Sequence, residues 1–122
     1  MTRNAQQMAG FLESNPKISR MVYPGLASHP GHSMAAGQMR GGFGGMLAFD
    51  VGECEEDARR FVAALRTIRH AVSLGATGFF ICVPYLTTML YLPPERRTIF
   101  GVRKKRSVFP RGSSRLNSFW RI

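Results

Sequence analysis

Asn15-Pro16-Lys17-Ile18-Ser19-Arg20-Met21-Val22-Tyr23-Pro24-Gly25-Leu26-Ala27-Ser28-His29-Pro30-Gly31-His32, followed by Gln38-Met39-Arg40-Gly41-Gly42-Phe43-Gly44-Gly45-Met46-Leu47-Ala48-Phe49-Asp50, decides how this chain folds. Ile18 to Tyr23 alternates in an imperfect period of two, with Ile18, Arg20 and Val22 against Ser19, Met21 and Tyr23. That spacing predicts a strand, and Pro24-Gly25 closes it as a turn. His29-Pro30-Gly31-His32 opens a helix over roughly 30–39, since proline fits a first helical turn. Arg40-Gly41-Gly42 ends that helix with residues that accept positive φ. Phe43 to Asp50 then reads as a second strand, in which Gly44 and Gly45 mark a bulge or a close backbone approach.

Working outward, Ala5, Met8, Ala9 and Leu12 fall on one helical face, so residues 4–13 form a helix that Ser14-Asn15-Pro16 stops. Glu53, Glu55, Glu56 and Asp57 precede Phe61-Val62-Ala63-Ala64-Leu65. Acids favour the positive end of a helix dipole, so a helix is predicted over 54–66. Ile68 to Leu74 and Gly78 to Tyr85 are apolar and β-prone, and Pro93-Pro94-Glu95-Arg96-Arg97 opens a last short helix ending at Gly101. No period of 2 or 3.6 emerges after Gly101. The economical solution is an α/β (α+β) small domain: a small, mainly antiparallel sheet with helices on one face.

The charge is uneven. Residues 1–90 carry 8 Lys/Arg and 6 Asp/Glu, whereas residues 91–122 carry 9 Lys/Arg and one acid, Glu95. The expectation is therefore a domain over 1–102 and a basic, solvated tail over 103–122, disordered or produced by a shift of reading frame. Phe109, Phe119 and Trp120 could stack on bases, but the tail matches no nucleic-acid-binding motif, so a nucleic-acid binder acting through the basic tail stands only as an alternative. No apolar run reaches membrane-spanning length, and the first residues lack a signal peptide's apolar core. With Cys54 and Cys82 far apart, the chain reads as cytoplasmic with reduced thiols, Cys82 filling core. His29 and His32 have no third or fourth ligand in view, so no metal site is expected.

Three segments, in order, resemble the trans-sulfuration enzymes, the pyridoxal-phosphate family of cysteine and methionine metabolism. They are Asn15 to Leu26 with Ser28-His29-Pro30-Gly31-His32; Gly42-Phe43-Gly44-Gly45-Met46-Leu47-Ala48-Phe49; and Ala71-Val72-Ser73-Leu74-Gly75 with Pro84-Tyr85-Leu86-Thr87-Thr88 and Leu92-Pro93-Pro94-Glu95-Arg96-Arg97. The resemblance covers about residues 3–102 and is to the family's C-terminal domain, which closes over the active site and helps hold the substrate carboxylate. It implies pyridoxal phosphate as cofactor, bound as a Schiff base by a lysine of a large N-terminal domain, and an amino-acid substrate that undergoes elimination or replacement at its β- or γ-carbon.

Carried over by position, Ser73 and Leu74 match the family's Ser-Leu-Gly loop beside the carboxylate. Thr88 matches the threonine of a motif that usually reads Met-Thr-His and here reads Thr87-Thr88-Met89. These are the expected substrate-binding residues; no catalytic, cofactor or metal residue is expected. The family's carboxylate-binding arginine lies in a strand resembling Val-Arg-Leu-Ser-Val-Gly, and that strand is expected to be missing where the chain reads Lys105-Arg106-Ser107-Val108-Phe109-Pro110. Gly78-Phe79 also stands where the family usually has Glu-Ser. The implied state is a fragment inactive by itself, whose partner is the missing N-terminal domain or a homologous subunit; the alternative is a non-catalytic interaction module that docks on a full-length homologue.

Overall fold

The computed structural model describes residues 2–66, 68–72, 80–104 and 106–110, the last four of these by their backbone. In chain order the elements are α1 (Thr2–Glu13), β1 (Ile18–Val22), α2 (His32–Gln38), β2 (Met46–Val51), α3 (Glu55–Ala64), β3 (Arg69–His70), β4 (Phe80–Ile81), a 3-10 turn (Pro84–Leu86), α4 (Pro94–Ile99) and β5 (Arg106–Pro110). β1, β2 and β5 form an antiparallel sheet with β2 in the centre. β3 and β4 pair in parallel beside it. The expected small α/β fold with a mainly antiparallel sheet is what the chain adopts.

The core follows from two periods. On α1, Ala5, Met8, Ala9 and Leu12 are all buried, as their helical spacing requires. On β2, Leu47, Phe49 and Val51 alternate toward the same cluster, with Phe61, Val62 and Leu65 from α3 and its C-terminal cap packed against it. Phe49 and Phe61 meet edge to face, with centroids 5.6 Å apart. α1 and α3 therefore cover one face of the sheet.

The imperfect alternation in β1 has a physical cause. The register shifts between Ile18 and Arg20, so Ile18 lies opposite Val51 and Met21 opposite Phe49. A bulge of this kind lets two residues three apart reach the same face. Ile18 and Met21 both pack on the core, and Ser19 turns aside to donate its hydroxyl to the Gly52 carbonyl at 2.9 Å.

The Tyr23-Pro24-Gly25-Leu26 block is a junction of four segments. The Tyr23 ring is fully buried, and its hydroxyl donates to the Gly44 carbonyl at 2.9 Å. Gln6 of α1 donates to the Gly25 carbonyl at 2.6 Å, and His32 bonds the Pro24 carbonyl at 2.8 Å. β2 begins at Met46 and not at Phe43, because Gly41, Gly42 and Gly44 take φ of 80°, 117° and 81°, outside strand geometry.

Three expected elements are shorter than their apolar patterns. α2 spans seven residues, with turns at His29 to Gly31 before it. β3 and β4 hold two residues each; Ala71 and Val72 follow β3 outside any strand, and Ser73, Leu74, Gly78 and Phe79 lie outside the described residues.

The C-terminal region also pairs into the sheet. Residues 106–110 are a strand, paired with β2 from Met46↔Pro110 to Asp50↔Arg106. The segment expected to lie in the basic tail therefore includes a paired strand. Backbone ladders tolerate almost any side chains, so a basic composition does not forbid pairing when an unfilled sheet edge and a counter-charge are present. The counter-charge is Asp50, 0% exposed on the sheet face opposite the core, with Arg106 Nε 2.8 Å from its Oδ1 and Arg103 Nη1 3.5 Å from its Oδ2.

Candidate functional site

Parallel pairing places the carboxyl ends of β3 and β4 side by side. In sheets of this kind, ligands gather outside the carboxyl ends of parallel strands. Ala71 follows β3, its N–H donating to the Ile81 carbonyl at 3.1 Å, and leads toward Ser73 and Leu74, which themselves lie outside the described residues. Cys82 and Val83 follow β4 and lead through the 3-10 turn to Thr88. Of the three expected substrate-binding residues, Thr88 alone is described: it is exposed, in the turn joining Leu86 to α4.

That turn is built by hydrogen bonds that leave little slack. Thr87 Oγ1 donates to the Val83 carbonyl at 3.0 Å, and the Met89 N–H donates to the Pro84 carbonyl at 2.9 Å. The brace is Arg97 on α4, 9% exposed. Its Nε donates to the Leu92 carbonyl at 2.7 Å, its Nη2 donates to the Leu90 carbonyl, and its guanidinium lies 4.5 Å from the Tyr85 ring centroid. The planar fork satisfies two carbonyls while its face stacks on the ring, which a lysine could not reproduce. Sequence reasoning quoted Arg97 within a motif but assigned it no role. No spacing signal reports that its head folds back five and seven residues.

Cys82 is buried behind this turn, and burial pushes its thiol above the ordinary range against the opposing pull of its bond to Thr87. That favours the uncharged thiol and a packing role, as expected. His29 Nδ1 accepts from the Gly31 N–H at 3.0 Å, and His32, bonded to Pro24, packs 5.5 Å from Phe43. Both imidazoles serve the turn after β1.

The described lysines do not fit a pyridoxal-phosphate site. Lys17 is exposed in the turn before β1, its N–H held by Asn15 Oδ1 at 2.9 Å. Lys104 is exposed, its Nζ 5.4 Å from the Tyr85 centroid. An imine-forming lysine is typically desolvated or set beside another cationic group, and neither of these stands in an enclosed pocket. Arg106 is committed to Asp50, and both of its contacts to that carboxylate are structural.

Comparison with known proteins agrees with this architecture. The profile of the Cys/Met metabolism PLP-dependent enzymes matches residues 1–106. Cystathionine gamma-lyase of Bacillus subtilis is 42% identical over 100 residues, covering 82% of this chain and 26% of that protein. The crystal structure of cystathionine gamma synthase from Xanthomonas oryzae, in complex with aminoacrylate and cysteine, superposes with a TM-score of 0.86 at 32% identity, covering 93% of this chain and 29% of that one. A Campylobacter jejuni protein assigned as an O-acetylhomoserine (thiol)-lyase, solved with N'-pyridoxyl-lysine-5'-monophosphate, superposes with a TM-score of 0.90 at 28% identity, covering 97% of this chain and 28% of that one. The chain thus spans between a quarter and a third of the length of these relatives. Matched over most of its length and superposing on its solved members, the chain belongs to the Cys/Met metabolism PLP-dependent enzyme family.

Proposed function

We propose that this chain is the small C-terminal domain of a pyridoxal-phosphate-dependent trans-sulfuration enzyme and that by itself it is catalytically silent. The observation that carries the reading is the coverage: 82% of the chain matches 26% of a cystathionine gamma-lyase, while the described lysines are exposed and unenclosed. When bound in the assembled protein, the cofactor would withdraw electrons from the α-carbon of an amino acid. The chain's own part is to present the turn at Thr88, with the Ser73-Leu74 segment beyond β3, toward the substrate carboxylate. Arg97 holds that turn in place. The partner is a lysine-bearing large domain, the substrate an amino acid of the cysteine, homocysteine or methionine type, and the compartment the cytoplasm. Among the described residues no helix is long and apolar enough to cross a membrane.

The test mixes the purified 122-residue chain with pyridoxal phosphate and follows imine absorbance and its reduction by borohydride. Only weak labelling spread over surface amines is expected. A stoichiometric imine at one lysine would overturn the reading. Co-expression with the lysine-bearing domain of a relative should give a stable complex, and two separately soluble, non-associating proteins would count against it.

A further inference from the structure

We propose that the Thr88 turn and α4 form the surface on which the lysine-bearing large domain docks; the proposal rests on the function proposed above and names the contact that function requires. The exposed apolar side chains are gathered at one end of the molecule. Among the described residues nine large apolar side chains are exposed, and five of them are Val72, Leu90, Tyr91, Ile99 and Phe100, each between 59% and 80% exposed. Val72 lies on the stretch that leads from β3 toward Ser73, and Leu90 and Tyr91 follow Thr88 in its turn. Ile99 is the last residue of α4, and Phe100 is its cap. Arg97 draws the turn against the helix: from α4 its guanidinium holds the carbonyls of Leu90 and Leu92. The apolar residues of the turn and of the helix thus belong to one braced unit.

A gathering of exposed apolar side chains marks a face that another body covers. Its place in the fold and the length of the chain say which body. The cluster borders the carboxyl ends of β3 and β4, where a ligand is expected. A turn presented to a substrate meets whatever holds that substrate's reactive centre, and that is the domain carrying the imine-forming lysine. The chain covers 26% of the cystathionine gamma-lyase it matches, so most of that protein lies outside the match, and it is there that such a domain is found. Tyr91 is the anchor of the surface, because aromatic side chains dominate contacts of this kind. Arg96 on α4 and Lys104 beside Tyr85 are both exposed and give the rim a positive charge, which an acidic border on the partner complements.

The test co-expresses the full 122-residue chain with the lysine-bearing domain of a relative, purifies the complex through a tag on that domain and follows its dissociation on dilution. Leu90→Ser combined with Tyr91→Ser should weaken the complex by about tenfold or more, and so should Ile99→Ser combined with Phe100→Ser. Met34→Ser, at a comparably exposed apolar side chain on α2, should leave it unchanged. A complex that forms and is equally stable with all of these variants would overturn the docking surface while the proposed function stands. An unaltered chain that forms no complex would overturn both. A free chain that self-associates, and turns monomeric in both double variants, would overturn the proposal in favour of a second copy as occupant. Should the change at Ile99 and Phe100 unravel α4, seen as a lowered thermal midpoint, the pair at Leu90 and Tyr91 still decides the question, because Arg97 holds that turn by its backbone carbonyls.

Discussion

Gly25 shows how a single residue ties the opening block together. A Cβ there would lie 2.1 Å from Gln6 Oε1, 2.5 Å from Tyr23 Cε1 and 2.9 Å from Phe43 Cδ2. Three segments press on a space that only hydrogen fills. Gly25→Ala is expected to cost about 1–3 kcal/mol, the range for overpacking a well-filled site. A urea midpoint matching the unaltered chain would contradict it. Gly42 carries both constraints, a φ of 117° and Thr2 Cγ2 2.0 Å from its absent Cβ. The residues that carry the family resemblance are thus packing residues. Tyr23 and Gly25 were legible in sequence as a strand end and a turn. Their partners Gln6 and Gly44, 19 and 21 residues away, were not.

At the scale of the element, α3 begins on a compact acid cap. The Asp57 carboxylate accepts from the Glu53 N–H at 2.9 Å, the Cys54 N–H at 3.2 Å and the Cys54 thiol at 3.3 Å. The backbone donors, Glu53 first and then Cys54, hold its carboxyl below the usual carboxylate range. A depressed folded-state value means that the contribution is present above the unfolded value and is lost as pH falls through the folded one. The protection of the first turn of α3, meaning exchange relative to the intrinsic rate at each pH, should therefore fall on acidification through and below the ordinary carboxylate range. Asp57→Asn should remove that pH dependence. An unaltered pH profile in the variant would show that the cap does not govern the helix start. The surface pairs Arg59–Glu55 and Arg60–Glu56 are half-exposed or more on the arginine side and add little. The acids before Phe61 predicted this helix from sequence, because capping is local. The bulge in β1 was visible only as a fault in its alternation, because its cause is the register against β2.

At the scale of the molecule, the basic C-terminal region is where sequence and structure part. Read as composition, residues 103–122 form a solvated tail, and their removal should be harmless. Read from the sheet, removal uncovers the second edge of β2 and strips Asp50 of both arginines. Deleting residues 103–122 is expected to cost at least about 2 kcal/mol, since several ladder hydrogen bonds, each worth about 0.5–1.5 kcal/mol, are lost together with the ion pair. Thermal or urea unfolding measures it, and an unshifted midpoint would restore the reading as a tail.

The sequence by itself determined the helical faces, the turns and the family, because these rest on near-neighbour spacing and on residue types that local backbone geometry demands. It also marked Thr88 and the approach to Ser73 by resemblance. Only the tertiary structure decided that Arg97 folds back to hold the Thr88 turn, that Arg106 serves Asp50, and that a strand with no apolar period completes the sheet. Those three outcomes depend on contacts between residues that the chain's own order leaves 5 to 56 positions apart. A pattern of periods and turns carries no record of such contacts, and burial in the folded core is what makes them necessary.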